Sequence, residues 1–362
     1  MTVYILPIEP LEERYSEQWY RWFPEAFARR GVRRRVIDGE TLTDTVEVGT
    51  FLDVNSTLAY KASQLQVVAG LFHRREIQDG DAFFVADVEF WGIEAIRYLA
   101  DLNGLKNIRI FGFAHAGSYT TEDFFSRCAE YAQVYEHGWG KVFDKIFVGS
   151  TYHQKKLARN RNIPIEKIVV TGNPYDVAGV RQSIRRAACS RPMVIHTNRP
   201  DPEKRPEDTL RVFEVLHELH PDWLFAVTTS RKVWGYEKVR QQARRLQDEW
   251  GLMVMEGLTK QEYLNMLAEA TVMTGNTIEE NFGYCVLESL IANTIPVVPN
   301  NYSHPELVCS DSRCLFNSMD EQIEKIETAM ANPFPVTHYA DRFQGSLDLI
   351  VDLVSIGESC TE

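Results

Sequence analysis

The chain reads as short apolar runs separated by stretches whose apolar positions fall at helical spacing. Val3 to Pro7 is an apolar strand. A polar, aromatic stretch from Ile8 to Tyr20 passes into a helix over Trp19 to Arg30, closed by Gly31. Arg33 to Asp38 is a second strand, and this strand–helix–strand spacing is the start of a doubly wound sheet. Leu58 to Phe72 has helical spacing, Ala82 to Ala86 is an apolar strand ending in Asp87-Val88-Glu89, and Ile93 to Leu102 is a helix. Ile108 to Phe113 is a strand ending at His115-Ala116-Gly117-Ser118-Tyr119. Lys145 to Val148 is a strand, Thr151 to Asn160 a helix, and Ile168 to Thr171 a strand ending in Gly172-Asn173-Pro174-Tyr175-Asp176.

The alternation breaks into a charged connector over Asp176 to Ser190 and then resumes. Met193 to His196, Trp223 to Thr228, Leu252 to Met255, Thr271 to Thr274 and Pro296 to Val298 are strands. Asp208 to His217, Lys238 to Trp250, Lys260 to Ala268 and Tyr284 to Ala292 are helices between them, and Ser346 to Ile356 is a last apolar helix. The expected fold class is α/β, with two Rossmann-like domains over residues 1–180 and 190–340 and a C-terminal helix over 341–362.

The length of 362 residues suits two domains. No apolar run nears the ~18 residues that span a bilayer, and the opening MTVYILPIEPLEERY lacks the basic start of a secretory signal. The six cysteines, at 128, 189, 285, 309, 314 and 360, form no C-x-x-C pair and suit a reducing cytoplasm. Net charge is −12, unevenly divided: residues 1–175 hold 21 Lys and Arg against 23 Asp and Glu (−2), and the remainder 18 against 28 (−10). That acidity argues against indiscriminate nucleic-acid binding. It leaves room for an anion on one face of the first domain, where Arg29-Arg30, Arg33-Arg34-Arg35, His73-Arg74-Arg75 and Lys155 to Arg161 cluster.

The chemistry concentrates in Asn276 to Glu306. Glu280 and Glu288 bracket seven residues, with Phe282-Gly283 just before an apolar helix. A helix start near Gly283 offers backbone N–H groups and a positive dipole end to an anion, and glycine lets a ligand approach. Glu280 precedes the helix and Glu288 lies more than a turn inside it, so the two cannot share a point ligand. They suit two hydroxyl-bearing ends of a longer ligand with an anionic middle, such as a nucleotide diphosphate sugar. Ile295 to Pro299 reads as a buried parallel strand whose carboxyl end is where open α/β sheets bind ligands.

This array resembles the donor site of the retaining GT-B glycosyltransferases, whose E-x7-E motif Glu280 and Glu288 match. The likeness covers most of the second domain and, in the first, the segment from Asp144 to Asp176. It implies two Rossmann-like domains facing across a cleft, with the last helix crossing back to the first domain. It implies that Glu280, Asn281, Phe282 and Gly283 hold the donor sugar, that Glu288 holds the ribose, and that Arg199 and Lys204 hold the diphosphate of a UDP-sugar. Where the family has Gly after that Lys, this chain has Arg205, which either adds a third cation or alters the loop. His115 resembles the family's cleft histidine. Asp87 and Glu89 are alternatives for a base, needed if transfer inverts and dispensable if it retains. No D-x-D cluster is present at a strand end, so metal-independent transfer is expected, with no cofactor beyond the nucleotide-sugar co-substrate. The loops at Thr228 to Arg231 and Met255 to Leu258 occupy the positions of a base pocket.

Two stretches dense in aromatic and hydrogen-bonding groups suit acceptor walls: Glu9, Glu13, Tyr15, Ser16, Gln18 and Trp19 in one, and Asp53, Asn55, Ser56, Tyr60, Lys61 and Gln64 in the other, which begins at Phe51. The opening ILPIEPLEERYSEQWY, with HAGSY, resembles glycosyltransferase-like proteins of large tailed phages. That likeness implies a 5-hydroxymethylpyrimidine in double-stranded phage DNA as acceptor and the host cytoplasm as location, with Tyr15, Trp19 and Tyr60 stacking a displaced base and Arg33 to Arg35 contacting phosphate. A small-molecule, lipid-linked or tRNA-nucleoside acceptor stands beside it. So do a GT-B protein that binds nucleotide sugar without catalysis and a nucleotide-sugar epimerase.

Overall fold

The computed structural model describes residues 1–10, 15–42, 53–121, 124–186 and 191–356. Cys189, Cys360, Glu13 and Phe51 lie outside them. The chain divides into two units, Met1–Pro174 with Gly345–Glu362, and Tyr175–Gln344. Both are Rossmann-like alternations of strand and helix.

In the first unit the strands β1 (Thr2–Leu6), β2 (Arg33–Val36), β3 (Ala82–Val85), β4 (Arg109–Phe113), β5 (Lys145–Val148) and β6 (Ile168–Val170) form one parallel sheet in the order β2-β1-β3-β4-β5-β6. Side chains alternate across a strand, and the cores record it. Tyr4, Leu6, Phe83 and Val85 enter one cluster, whereas Val3, Ile5, Ala82 and Phe84 enter the other. The second cluster is covered by Trp19, Phe23 and Phe27 of helix Tyr15–Arg29 and by Ile350, Val351 and Val354 of helix Ser346–Ser355. Arg30 and Asp352 pair at its exposed rim, at 2.7 Å.

In the second unit β7 (Met193–His196), β8 (Leu224–Thr228), β9 (Met253–Met255), β10 (Val272–Thr274), β11 (Ile295–Pro299) and β12 (Leu315–Phe316) pair in parallel as β12-β11-β10-β7-β8-β9. Counted from β7, that is the dinucleotide-binding order, which reverses between its first and fourth strands. Val194, Ile195, Val227, Val272 and Val297 are fully buried at its centre. Part of the stretch read as a charged connector is a helix, Val177–Ser183, capped by Asp176. The sequence reading passed over helices Ala129–Val142 and Met319–Ala331 and strand β12.

Candidate active site

In the second unit the order reverses between β7 and β10, and the loops that follow these two strands carry the predicted donor residues. Lys204 ends a short turn, Pro202–Lys204, and is 9% exposed. Its Nζ donates to Glu280 Oε2 at 2.8 Å and to the Glu279 carbonyl at 3.3 Å, tying the two loops together. Burial works against the Lys204 charge, but Glu280 and Glu203 outweigh it and hold its pKa above the ordinary value. Burial likewise pushes the Glu280 carboxyl up, while Lys204 and His304 pull harder, and the net direction is down. Both groups are therefore ionised at neutral pH.

Gly283 adopts φ 99° immediately before helix Tyr284–Ile291, and no side chain caps that helix start. Glu280 lies close beneath it, its Cγ 3.4 Å from where a Gly283 Cβ would sit. Ser303 Oγ donates to the carbonyls of Glu280 (3.0 Å) and Phe282 (2.8 Å), so the loop after β11 fixes the shape of the loop after β10. Asn281 and Phe282 are both buried.

Glu288 is buried inside the helix, and its Oε1 accepts from Tyr175 Oη at 2.8 Å and from Lys260 Nζ. Lys260 opens helix Lys260–Glu269 behind a Thr259 capping box. Arg199 pairs with Asp201 Oδ2 at 2.8 Å and with Glu203, and Arg231 pairs with Asp201 Oδ1 at 2.8 Å. The loops after β8 and β9 bond to each other, from Thr229 N to the Met255 carbonyl at 2.9 Å and from Leu258 N to the Thr229 carbonyl at 3.2 Å. His196, at the end of β7, is fully buried with Nδ1 3.1 Å from the Thr274 carbonyl, and burial pushes its pKa down to about 4.

In the first unit the order reverses between β1 and β3. Asp87, just past β3, accepts from Lys61 Nζ at 2.6 Å and from Glu89 N at 3.1 Å. Burial alone would raise the Asp87 carboxyl; Lys61 and His115 outweigh it and keep the carboxyl below its ordinary value. His115, past β4, has Nε2 3.0 Å from the Ala86 carbonyl and its ring 4.8 Å from Trp19 and 5.2 Å from Tyr15. Burial lowers its pKa more than Asp87 raises it, so the imidazole is neutral at pH 7 and donates from Nε2. The His115–Tyr119 loop is pinned from beneath. Fully buried Glu136 accepts from Ser118 N at 2.6 Å, from Ser118 Oγ at 2.7 Å and from Arg161. Tyr119 Oη meets His153 Nε2 at 2.8 Å.

Among the described residues, no cluster of three or more His, Cys, Asp or Glu is arranged to hold a metal ion. No helix among them is long and apolar enough to cross a membrane.

Residues 183–344 match the family model described as glycosyl transferases group 1. Solved structures that the whole chain resembles have the same fold at low identity. A UDP-forming α,α-trehalose-phosphate synthase from Burkholderia vietnamiensis aligns with TM-score 0.67 and 13% identity over 98% of each chain. Sucrose-phosphate synthase from Thermosynechococcus elongatus aligns with TM-score 0.66 and 10% identity over 97% of this chain and 95% of that one. A TarM variant from S. aureus, solved with UDP and α-GlcNAc-glycerol among its ligands, aligns with TM-score 0.54 and 14% identity over 83% of this chain. The present chain spans 56% of that TarM chain. None of the curated proteins matches the sequence.

Within the matched segment, Glu280, Asn281, Phe282, Gly283 and Lys204 come together at the strand-order reversal. Arg205, where the family has Gly, adopts φ 45°, and its guanidinium lies 3.6 Å from Asp208. The partners of Glu288, Tyr175 and Lys260, carry no signal in the sequence, because each lies on a different element.

The base-stacking role expected of Trp19 and Tyr60 is corrected. Trp19 and Tyr60 are 2% and 1% exposed, so neither offers a ring face to a displaced base. The Trp19 indole donates to the Pro174 carbonyl at 3.1 Å, and the Tyr60 hydroxyl donates to Asp38 at 2.5 Å. Their aromatic spacing records the core face of helices, the commoner cause of such a stripe. Tyr15 stays half-buried beside His115. Asp53 is the cap of helix Val54–His73, accepting from Ser56 N at 2.7 Å, and Asn55 is exposed in that helix's first turn. Arg33 to Arg35 begin at the amino end of the parallel β2, whereas His115 and Asp87 lie past the carboxyl ends of β4 and β3, so the basic run does not adjoin them. The sequence reading also missed Trp91, stacked on Tyr135 at 4.4 Å just beyond Glu89.

Proposed function

We propose that the chain transfers a sugar from a nucleotide diphosphate sugar, a UDP-sugar, to a hydroxyl acceptor, with retention and without a metal ion. The observation that carries this reading is the Lys204–Glu280 bridge beside the Gly283 helix start, at the strand-order reversal of a group 1 glycosyl transferase domain. The UDP bound in the TarM structure and the UDP-forming activity named for the trehalose-phosphate synthase support the choice of nucleotide. In the proposed step the bond from the anomeric carbon to the diphosphate oxygen breaks and the acceptor oxygen bonds to that carbon. The acceptor proton passes to the departing diphosphate. Lys204, Arg199 and the helix start stabilise the negative charge that grows there, Glu280 and the backbone beyond it hold sugar hydroxyls, and Glu288 holds the ribose.

Retention rests on the resemblance of the Glu280–Glu288 array to the retaining donor site; Asp87, which accepts from Lys61 Nζ at 2.6 Å, is kept as the base that an inverting transfer would need. His115 is proposed as a neutral hydrogen-bonding group to the donor sugar. With Trp19 and Tyr60 buried, the acceptor reading narrows to what Tyr15 and the Trp91–Tyr135 stack can flank, and a hydroxymethylated DNA base is kept as one arm of the test. The test incubates the chain with UDP-glucose, UDP-galactose and UDP-N-acetylglucosamine, with and without chelator. Acceptors are simple glycosides, nucleosides and hydroxymethylated duplex DNA. UDP release matched by a glycoside of unchanged anomeric configuration is expected, chelator or not. UDP binding without turnover on any pair would favour a binding protein, and an inverted product would return Asp87 to the role of base.

A further inference from the structure

The loops after β10, β11 and β12, together with the first turns of helices Pro206–Leu219 and Met319–Ala331, border an open cavity of about 510 Å³. None of Lys204, Glu280 and Glu288 lines it, so it is distinct from the crevice above. Its walls carry the amides of Asn276, Asn300 and Asn317, the rings of Tyr302 and Phe316, and Arg205. Two of these, Arg205 (φ 45°) and Tyr302 (φ 60°), hold left-handed backbone although neither is glycine. Such conformations persist only where the surroundings fix them, and they gather at ligand sites. Here two residues far apart in the chain hold that backbone at one cavity. Tyr302 N donates to Asn301 Oδ1 at 2.9 Å, and Arg205 N donates to the Pro202 carbonyl at 3.1 Å.

The lining selects between ligand chemistries. A phosphate would meet Arg205, but also Asp208, which lines the same cavity 3.6 Å from that guanidinium. Both helix starts already carry their own carboxylates, Glu207 and Asp208 in one and Asp320 and Glu321 in the other. An anion is therefore disfavoured. A hydroxyl both donates and accepts, as an amide does. Asn300 and Asn317 are oriented by a mutual bond at 3.2 Å, and the apolar face of a sugar ring packs on an aromatic ring. We propose that this cavity binds a neutral saccharide unit, independently of the nucleotide crevice.

The full chain would be titrated calorimetrically with glucose, galactose, N-acetylglucosamine and maltose, each with and without saturating UDP, and with inorganic phosphate. At least one sugar should bind with a Kd of roughly millimolar order, unchanged by UDP. Binding should weaken by about tenfold in Tyr302→Ala and in Arg205→Gly, as when a ligand's packing and hydrogen bonds are removed. Arg205→Gly should melt no lower than the unsubstituted chain, because glycine suits left-handed backbone. If Tyr302→Ala does not fold, Asn300→Ala, at an exposed position, replaces it. The proposal fails if no sugar binds, if UDP displaces the sugar, or if binding survives the substitutions. Phosphate binding lost in Arg205→Gly would make the cavity an anion site instead.

Discussion

Glu280 and Glu288 belong to one sequence motif yet sit in different electrostatic surroundings. Glu280 pairs with Lys204 across two loops, and Glu288 is buried against Tyr175 and Lys260. The motif was legible because its spacing across a helix start is local. The partners were not, since a lysine opening one helix and a glutamate inside another are joined only by the fold. In the proposed mechanism, charge grows on the leaving diphosphate, so Arg199→Ala should lower kcat by more than it raises KM, by about 10- to 100-fold. A change in KM alone, measured by steady-state kinetics, would make Arg199 a binding residue only. Buried histidines give a second residue-scale expectation. Burial depresses His153 to about 3, and His196 and His304 to about 4, from the ordinary 6.5. Their folded-state pKa values are lowered, so the unfolded chain binds the extra protons. Stability is then complete above about pH 6.5 and falls as pH drops towards 4, by about 1.4 kcal/mol per pH unit for each histidine. Urea unfolding at pH 7 and pH 5 should show the loss, and equal midpoints would mean these rings are not held neutral.

At the scale of elements, apolar runs located nearly every strand, because both sheets are parallel and covered on both faces. Helix Val177–Ser183 was missed in a charged stretch, and strand β12 has only two residues, too few for periodicity to register. Trp19 and Tyr60 were misread because a polar neighbourhood in sequence says nothing about which helix face turns inward. Gly283 joins the loop after β10 to helix Tyr284–Ile291 in the proposed donor site. Gly283→Ala would place a side chain at φ 99° beside Glu280, and should cost roughly 1–3 kcal/mol of stability as well as weakening donor binding. Unchanged chemical unfolding would show that the backbone there relaxes freely. The His115 loop depends on Glu136 in a comparable way. Glu136→Leu leaves the buried Arg161 without its carboxylate, and should cost about 3–5 kcal/mol, against less than that for Glu136→Gln. Equal effects of the two, compared by thermal melting, would remove the charge pair from the explanation.

Across the whole chain, both units present their candidate groups past the carboxyl ends of parallel strands, flanking the points where strand order reverses. The acidic excess of residues 176–362 coexists with the proposed donor cations Lys204 and Arg199, so net charge says little about a site whose cations are placed one by one. The proposed donor residues of the second unit were the more legible because they are nearly continuous in sequence, whereas the proposed acceptor residues of the first unit come from separate loops. The central claim is that the crevice between the β7 and β10 loops holds a uridine diphosphate. Calorimetric titration of UDP into the full chain and into Glu288→Ala tests it most directly. The account predicts saturable binding of UDP that weakens by about 1.5–3 kcal/mol in the variant, the loss of a charged hydrogen bond, with the fold retained. Equal affinity for the two proteins, or no binding of UDP to either, would contradict it.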